Sequence, residues 1–403
     1  MQRHKDKILF GLLISALLLT GCITEFYALL PENDTKVLFV DGSIIENTEV
    51  TFHITQSFSI DVNVPPKESF INDAILTIIG SNGYKSSPAI NQGEGTYRIA
   101  TGTLEAGVEY GIQIDFESET YQSELSKPLY TPEIDTVYWV QSEPLGPVSF
   151  YLSTHDDTNR AKFYLWDYVE DWEIKSIHAT TIFFNPERNE LYTDFYSTPY
   201  LYCWKKQANY ELYSTEFLYE NKVIDKLLYE LNPIESNLDR FSELYCATVT
   251  QKAISRGAFE YYQTRKKLNE EMGGLFTPQP AEADGNIRCV TNPSKKAMGY
   301  VETFKNISQK RIFIRPATWP NPLIWPVWPR AQDIDDCELS KYIGVFTGSS
   351  YRGIYNLGYR PIGIDMEALP RLVPSLWVPV KCTDCTANGG TKDKPDFWPN
   401  DHR

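Results

Sequence analysis

The chain has 403 residues, of which 42% are apolar and 23% charged, and its formal charge is −15. That length exceeds one ordinary core and predicts two or three domains, and the apolar fraction excludes a disordered chain. The acidic balance argues against a nucleic-acid partner and against docking onto anionic headgroups through a basic face.

At the N-terminus, Arg3, Lys5 and Lys7 precede an apolar run from Ile8 to Thr20, which closes on Leu19-Thr20-Gly21-Cys22. A basic start, a short apolar stretch and small residues before a cysteine make a lipoprotein signal peptide over 1–21, too short to span a bilayer. Cys22 is then the lipid attachment site and the first residue of the mature protein. Membrane contact is expected through that lipid. Residues 22–36, with Pro31, Glu32, Asn33 and Asp34, read as a tether that reaches roughly 45 Å when extended.

Strand signals begin at Val37, in keeping with the 26 Tyr, 20 Phe and 9 Trp of the composition. Val50, Phe52 and Ile54 alternate with polar residues, as do Tyr110, Ile112, Ile114 and Phe116, and period two with one apolar face is a half-buried strand. Ser81-Asn82-Gly83, Gly93-Glu94-Gly95 and Glu105-Ala106-Gly107 supply turns at hairpin-like spacing. The spacing predicts an immunoglobulin-like β-sandwich over 37–130. Lys127-Pro128 to Thr131-Pro132 marks its end.

The remainder, 131–403, is predicted to be a larger β-rich domain with one or two helices. Strands are expected at Val137–Val140, Val148–Leu152, Lys162–Trp166, Thr180–Phe184 and Leu244–Thr250. One helix starts with Ser255 as N-cap and stops at Gly273-Gly274. Phe217–Leu231 is expected as a second.

After Cys22 the cysteines are Cys203, Cys246, Cys289, Cys337, Cys382 and Cys385. An even set in an exported chain reads as a disulfide framework of up to three bridges, all in the second domain. Zinc held by Cys382-x-x-Cys385 is the rival reading, weakened because no second close pair exists.

Catalytic signals are thin. His53, His155, His178 and His402 read as ordinary surface histidines, and no H-E-x-x-H, G-x-S-x-G or phosphate loop occurs. Asp333, Asp335 and Asp336, like His155-Asp156-Asp157, read as solvated acidic turns rather than a calcium loop. No metal or cofactor is expected. Trp319, Trp325 and Trp328 lie in the proline-rich stretch Arg315–Arg330, where stiff backbone holds rings at low entropic cost, and they form the first candidate binding surface. Phe397 and Trp398, at the end of the segment Lys381–Trp398, form the second.

Cys382-Thr-Asp-Cys385-Thr-Ala-Asn-Gly389-Gly390-Thr391, continuing to Asp396-Phe397-Trp398, resembles the C-terminal signature of a family of Bacteroidota outer-membrane lipoproteins of unknown function. Gly274-Leu-Phe276-Thr-Pro278-Gln-Pro280-Ala281, with Gly285-Asn286-Ile287, Gly299-Tyr300 and Arg311-Ile312-Phe313-Ile314, is similar to its central motif. Genes of that family commonly sit beside those of TonB-dependent receptors. The resemblance implies an outer-membrane location and a receptor, or its ligand, as partner, and it carries no catalytic residues. Only Glu25 supplies acidity just after the lipidated cysteine, which leaves the leaflet face open. A non-enzymatic accessory protein is therefore expected, with a hydrolase using paired carboxylates or a glycan-binding module as alternatives.

Overall fold

A computed structural model of the chain describes residues 36–58, 67–209, 213–216, 222–232, 239–271, 285–315, 337, 351–363 and 376–400. Cys22, Trp319, Trp325, Trp328, His402 and the Asp333–Asp336 turn lie outside them.

The first strands pair as two facing sheets. One contains β1 (Leu38–Asp41), β3 (Glu49–Gln56), β5 (Ile90–Gly93) and β6 (Thr96–Ala100); the other contains β4 (Ile75–Gly80), β7 (Tyr110–Phe116) and β8 (Glu119–Ser123). The alternation does what the sequence implies. Phe52, Ile54, Leu76, Ile78, Ile112 and Ile114 are each fully buried in the shared core, the arrangement of a β-sandwich. The sandwich does not close at residue 130, however. A return segment supplies β18 (Ile287–Cys289) to the edge of the second sheet beside β8, and β19 (Ala297–Met298) to the first sheet beside β1. The short strand β2 (Ile44–Ile45) pairs in parallel with β20 (Thr303–Phe304). Ile287, Cys289 and Val301 thereby join the first core. Nothing in residues 37–130 announces this, because a non-local pairing has no local periodicity.

The Gly285-Asn286-Ile287 and Gly299-Tyr300 blocks are the clasp of that return. Asn286 is buried, accepts from Val301 N–H at 2.9 Å and donates its amide to Val301 O at 2.8 Å. Its own N–H reaches Gly299 O at 3.1 Å, and a Cβ on Gly285 would stand 1.8 Å from the same oxygen. Only glycine permits that approach.

A second sandwich follows. One sheet has the order β16 (Lys222–Leu231), β10 (Val148–His155), β9 (Ile134–Gln141). The other runs β14 (Tyr202–Ala208), β11 (Phe163–Lys175), β17 (Tyr245–Ile254), β21 (Ser308–Ile314), with β15 (Tyr213–Glu216) also on β11. Its core is aromatic, with Phe150 stacked on Tyr229 at 4.3 Å and Tyr168 on Tyr229 at 3.6 Å between ring centroids. The expected helix over Phe217–Leu231 is overturned, since Lys222–Leu231 is strand. Val223, Leu227, Leu228 and Leu231 mimic helical spacing, but two register shifts against β10 produce that irregular pattern, with Asp225 in the left-handed region at φ 51°. Pairing along the whole strand outweighs local propensity.

Helix α1 (Arg256–Glu271) begins as expected, with Ser255 Oγ accepting from Ala258 N–H at 3.1 Å. Ala258, Phe259 and Tyr262 pack it on Phe163, Leu165 and Phe304, between the two sandwiches. Asn306 stitches the same junction by accepting from Thr131 N–H and donating to Thr131 O.

A cap of hairpin β12 (Ile182–Asn185) and β13 (Glu190–Thr193), helix α2 (Tyr351–Asn356) and hairpin β22 (Tyr359–Gly363) and β23 (Leu376–Pro379) completes the described fold. Trp377, Tyr351 and Phe184 form its own small core.

Two disulfides hold the C-terminal segment, Cys203–Cys385 and Cys337–Cys382. Cys246 and Cys289 are free and buried, correcting the expectation that all six are bridged. They sit in different sandwiches, on β17 and β18, so neither reaches the other. Both cysteines of the C-x-x-C pair are consumed by distant partners, which also removes the zinc reading. In unreduced protein opened by denaturant, Cys246 and Cys289 should react with a thiol reagent and the four bridged sulfurs should not. Cys385→Ser opens a loop of sequence separation 182 and should cost about 2–4 kcal/mol in a denaturant melt. Reaction of all six without reductant would refute the pairing.

Candidate functional site

The bridges fix where the C-terminal segment runs. Two short 3-10 turns, Val380–Cys382 and Cys385–Asn388, place Thr391 against β14, where it exchanges backbone hydrogen bonds with Trp204 at 2.9 and 2.8 Å. Gly390 fits because a Cβ there would lie 2.5 Å from Cys203 Cβ. Beyond it, the chain crosses the outer face of the second sandwich's larger sheet.

There Trp398 is 3% exposed and packs with Leu244, Cys246, Trp204 and Phe313. It is a core residue, which corrects its assignment to a binding surface. An indole flanked by Phe397 and prolines reads alike in sequence whether it faces protein or solvent. Phe397 stays partly exposed, with the Arg311 guanidinium 4.2 Å from its ring centroid. Arg311 is held by Nε donating to Thr248 Oγ1 at 3.2 Å.

Phe397 and Pro399 form one wall of an open groove of about 470 Å³. Arg311, Ile312, Phe313 and Arg315, from β21 and its end, form the other, with Trp139 and Leu244 completing it. β21 is the edge strand of its sheet. Arg315 is also where the sequence enters the proline- and tryptophan-rich stretch. Arg315, the first residue of the stretch 315–330, and Phe397, of the segment 381–398, thus meet at one groove. Arg311, Ile312 and Phe313 belong to the motif Arg311–Ile314, yet sequence reasoning did not place them in a site.

Arginine beside aromatic rings is the composition of interface centres, where planar cations and large rings anchor a partner. Acid–base chemistry is poorly served nearby. Burial pushes the Cys246 thiol up to about 12, so it stays protonated and unreactive. Asp171, on the same sheet face, is raised mainly by burial, against the pull of Lys206 and Arg311.

Paired carboxylates do not emerge among the described acids with raised pKa. Glu170 and Asp171 are neighbours in β11 and so face opposite sides of the sheet. Glu170 is bound by Arg240 and Tyr245, and Glu302 accepts from Ser255 N–H at 3.0 Å. The three described histidines are likewise accounted for. His155 is 44% exposed and bonded to Asp135 at 2.7 Å, a contact that raises its pKa; His178 Nε2 meets Cys337 O at 2.7 Å; and His53 meets Thr96 at 3.2 Å. Among the described residues no cluster of His, Cys, Asp or Glu is arranged to hold a metal.

These features define a mostly β protein of two sandwiches, with a disulfide-pinned C-terminal segment that shapes an arginine–aromatic groove. The chain belongs to the family described as domain of unknown function DUF4249, whose pattern matches residues 23–310 and so takes in both sandwiches as far as β21. Among solved structures, the crystal structure of CBD12 from CALX1.2 is similar at 10% identity over 69% of this chain and 100% of that one, and its TM-score of 0.15 carries no argument. No curated protein matches the sequence.

Proposed function

We propose that this protein is a lipid-anchored accessory protein of the outer membrane that binds a TonB-dependent receptor, or that receptor's ligand, without catalysing a reaction. The observation that carries the reading is Cys22, placed after Leu19-Thr20-Gly21 at the end of a basic-then-apolar leader. The partner is supported by the family resemblance of the C-terminal and central blocks, and by the groove. Its lining concentrates the residue types that dominate interface energy, and two arginines mark it within a chain of formal charge −15.

Detergent-solubilised outer membranes tested with an antibody against the N-terminal sandwich should yield a TonB-dependent barrel with the wild-type protein. Phe397→Ala should weaken that recovery, because truncating a central ring costs about 2 kcal/mol or more, some thirtyfold in affinity. The triple replacement of Trp319, Trp325 and Trp328 by Ala should weaken it as well. Absence of any barrel, or equal recovery with Phe397→Ala, would defeat the reading.

A further inference from the structure

The cap holds a second concave site, separate from the groove. Phe183, Phe184, Tyr192, Tyr200 and Tyr355 supply rings to a cavity of about 140 Å³, and Thr180, Arg360, Thr383 and Asp384 supply polar groups to the same lining. The outer rings form a cluster, with Phe183 5.5 Å from Tyr192 and 6.3 Å from Tyr200 between centroids. Tyr192 and Tyr200 keep 51% and 40% of their surface in solvent. The polar groups of the lining are held in place rather than loose. Arg360 lies 3.9 Å over the Tyr355 ring and donates to the carbonyls of Tyr355 and Tyr359 at 3.3 and 2.8 Å. Asp384 accepts from Thr386 N–H at 2.9 Å and Thr386 hydroxyl at 2.6 Å, both on Oδ1. No bond within the described residues engages its Oδ2.

We infer that this cavity binds one pyranose ring of an oligosaccharide. A pyranose presents an apolar C–H face and a rim of hydroxyls, and the cavity offers flat rings together with a fixed guanidinium and a carboxylate. Its volume is close to the ~150 Å³ of a cavity that admits a benzene ring, so it has room for the ring of one pyranose with the outer hydroxyls in solvent beside the exposed Tyr192 and Tyr200. A wholly apolar ligand would leave Asp384 Oδ2 desolvated without a partner. A phosphorylated ligand would meet the Asp384 carboxylate within an acidic protein. Phe195 and Tyr196, 76% and 100% exposed, lie between Tyr192 of β13 and Tyr200, a supply of rings for neighbouring sugar units. The inference stands apart from the receptor reading, since it concerns a different surface and a different readout.

The test is the mature full-length protein in detergent on an array of plant, host and bacterial-wall oligosaccharides, followed by calorimetric titration of the strongest binder. At least one oligosaccharide should bind, and Tyr200→Ala and Asp384→Asn should each weaken it about tenfold with the melting temperature unchanged. Asp384→Asn keeps a residue able to cap the Cys385–Asn388 turn, so loss there reads ligand contact rather than unfolding. Should Tyr200→Ala disturb the fold, Tyr192→Ala, at a more exposed ring, gives the same readout. A blank array, or binding indifferent to these variants, would overturn the inference. A blank array together with loss of barrel recovery in Tyr200→Ala would assign the patch to a protein partner and overturn it equally.

Discussion

Cys22→Ser should leave full-length precursor in the membrane fraction, carrying no acyl label, while wild-type protein is labelled and shortened by its leader. Lipid transfer needs a thiolate to form the thioether, and a serine hydroxyl is not ionised at neutral pH. The lipoprotein peptidase acts on the modified form, so cleavage fails with it. One acyl chain gives only marginal membrane binding, at about 0.8 kcal/mol per buried methylene, so stable anchoring requires the multiple chains of a mature lipoprotein. Radiolabelled palmitate and the mobility of the protein on a gel report both steps. Normal shortening and labelling of Cys22→Ser would remove the anchor, and with it the membrane location on which the accessory role depends.

Arg240→Ala should destabilise the protein by about 3–5 kcal/mol in a denaturant melt, because it breaks a buried ion pair from one side. Arg240 and Glu170 are 7% and 3% exposed, and the guanidinium reaches the carboxylate at 2.9 and 3.3 Å. It also donates to Gln207 at 2.6 Å and lies 4.8 Å over the Trp172 ring. Tyr245 donates to Glu170 at 3.0 Å and meets Tyr229 at 2.8 Å, so the network crosses the core between the two sheets.

Burial already raises Glu170 above the usual carboxylate range, and Arg240 opposes that rise. Removing the arginine raises the folded pKa further. A folded pKa above the unfolded value contributes stability below the unfolded pKa and loses it as pH rises through the folded one. The defect of Arg240→Ala should therefore be largest at neutral and alkaline pH and shrink towards pH about 4. Adding Glu170→Gln should recover part of the loss at neutral pH, since no charge is then stranded. A pH-independent loss that Glu170→Gln leaves untouched would show that Trp172 packing, not charge, dominates.

Local signals carried much of this architecture because they are properties of neighbouring residues. The alternating strands at Val50–Ile54 and Tyr110–Ile114, and Ser255 as the cap of α1, follow from period two and an N-cap hydroxyl, neither of which needs a distant partner. Phe217–Leu231 misled because β-bulges scramble the period that tells strand from helix.

What distance in sequence concealed, the tertiary structure decided. The return of Ile287–Phe304 to the first sandwich, the pairing of Cys203 with Cys385 across 182 positions, and the two unbridged thiols depend on which sheets face each other. The same holds for the aromatic residues. Trp398 and Phe397 are adjacent and alike in sequence, yet one is core and the other groove wall, since burial is set by what the folded chain lays over each ring.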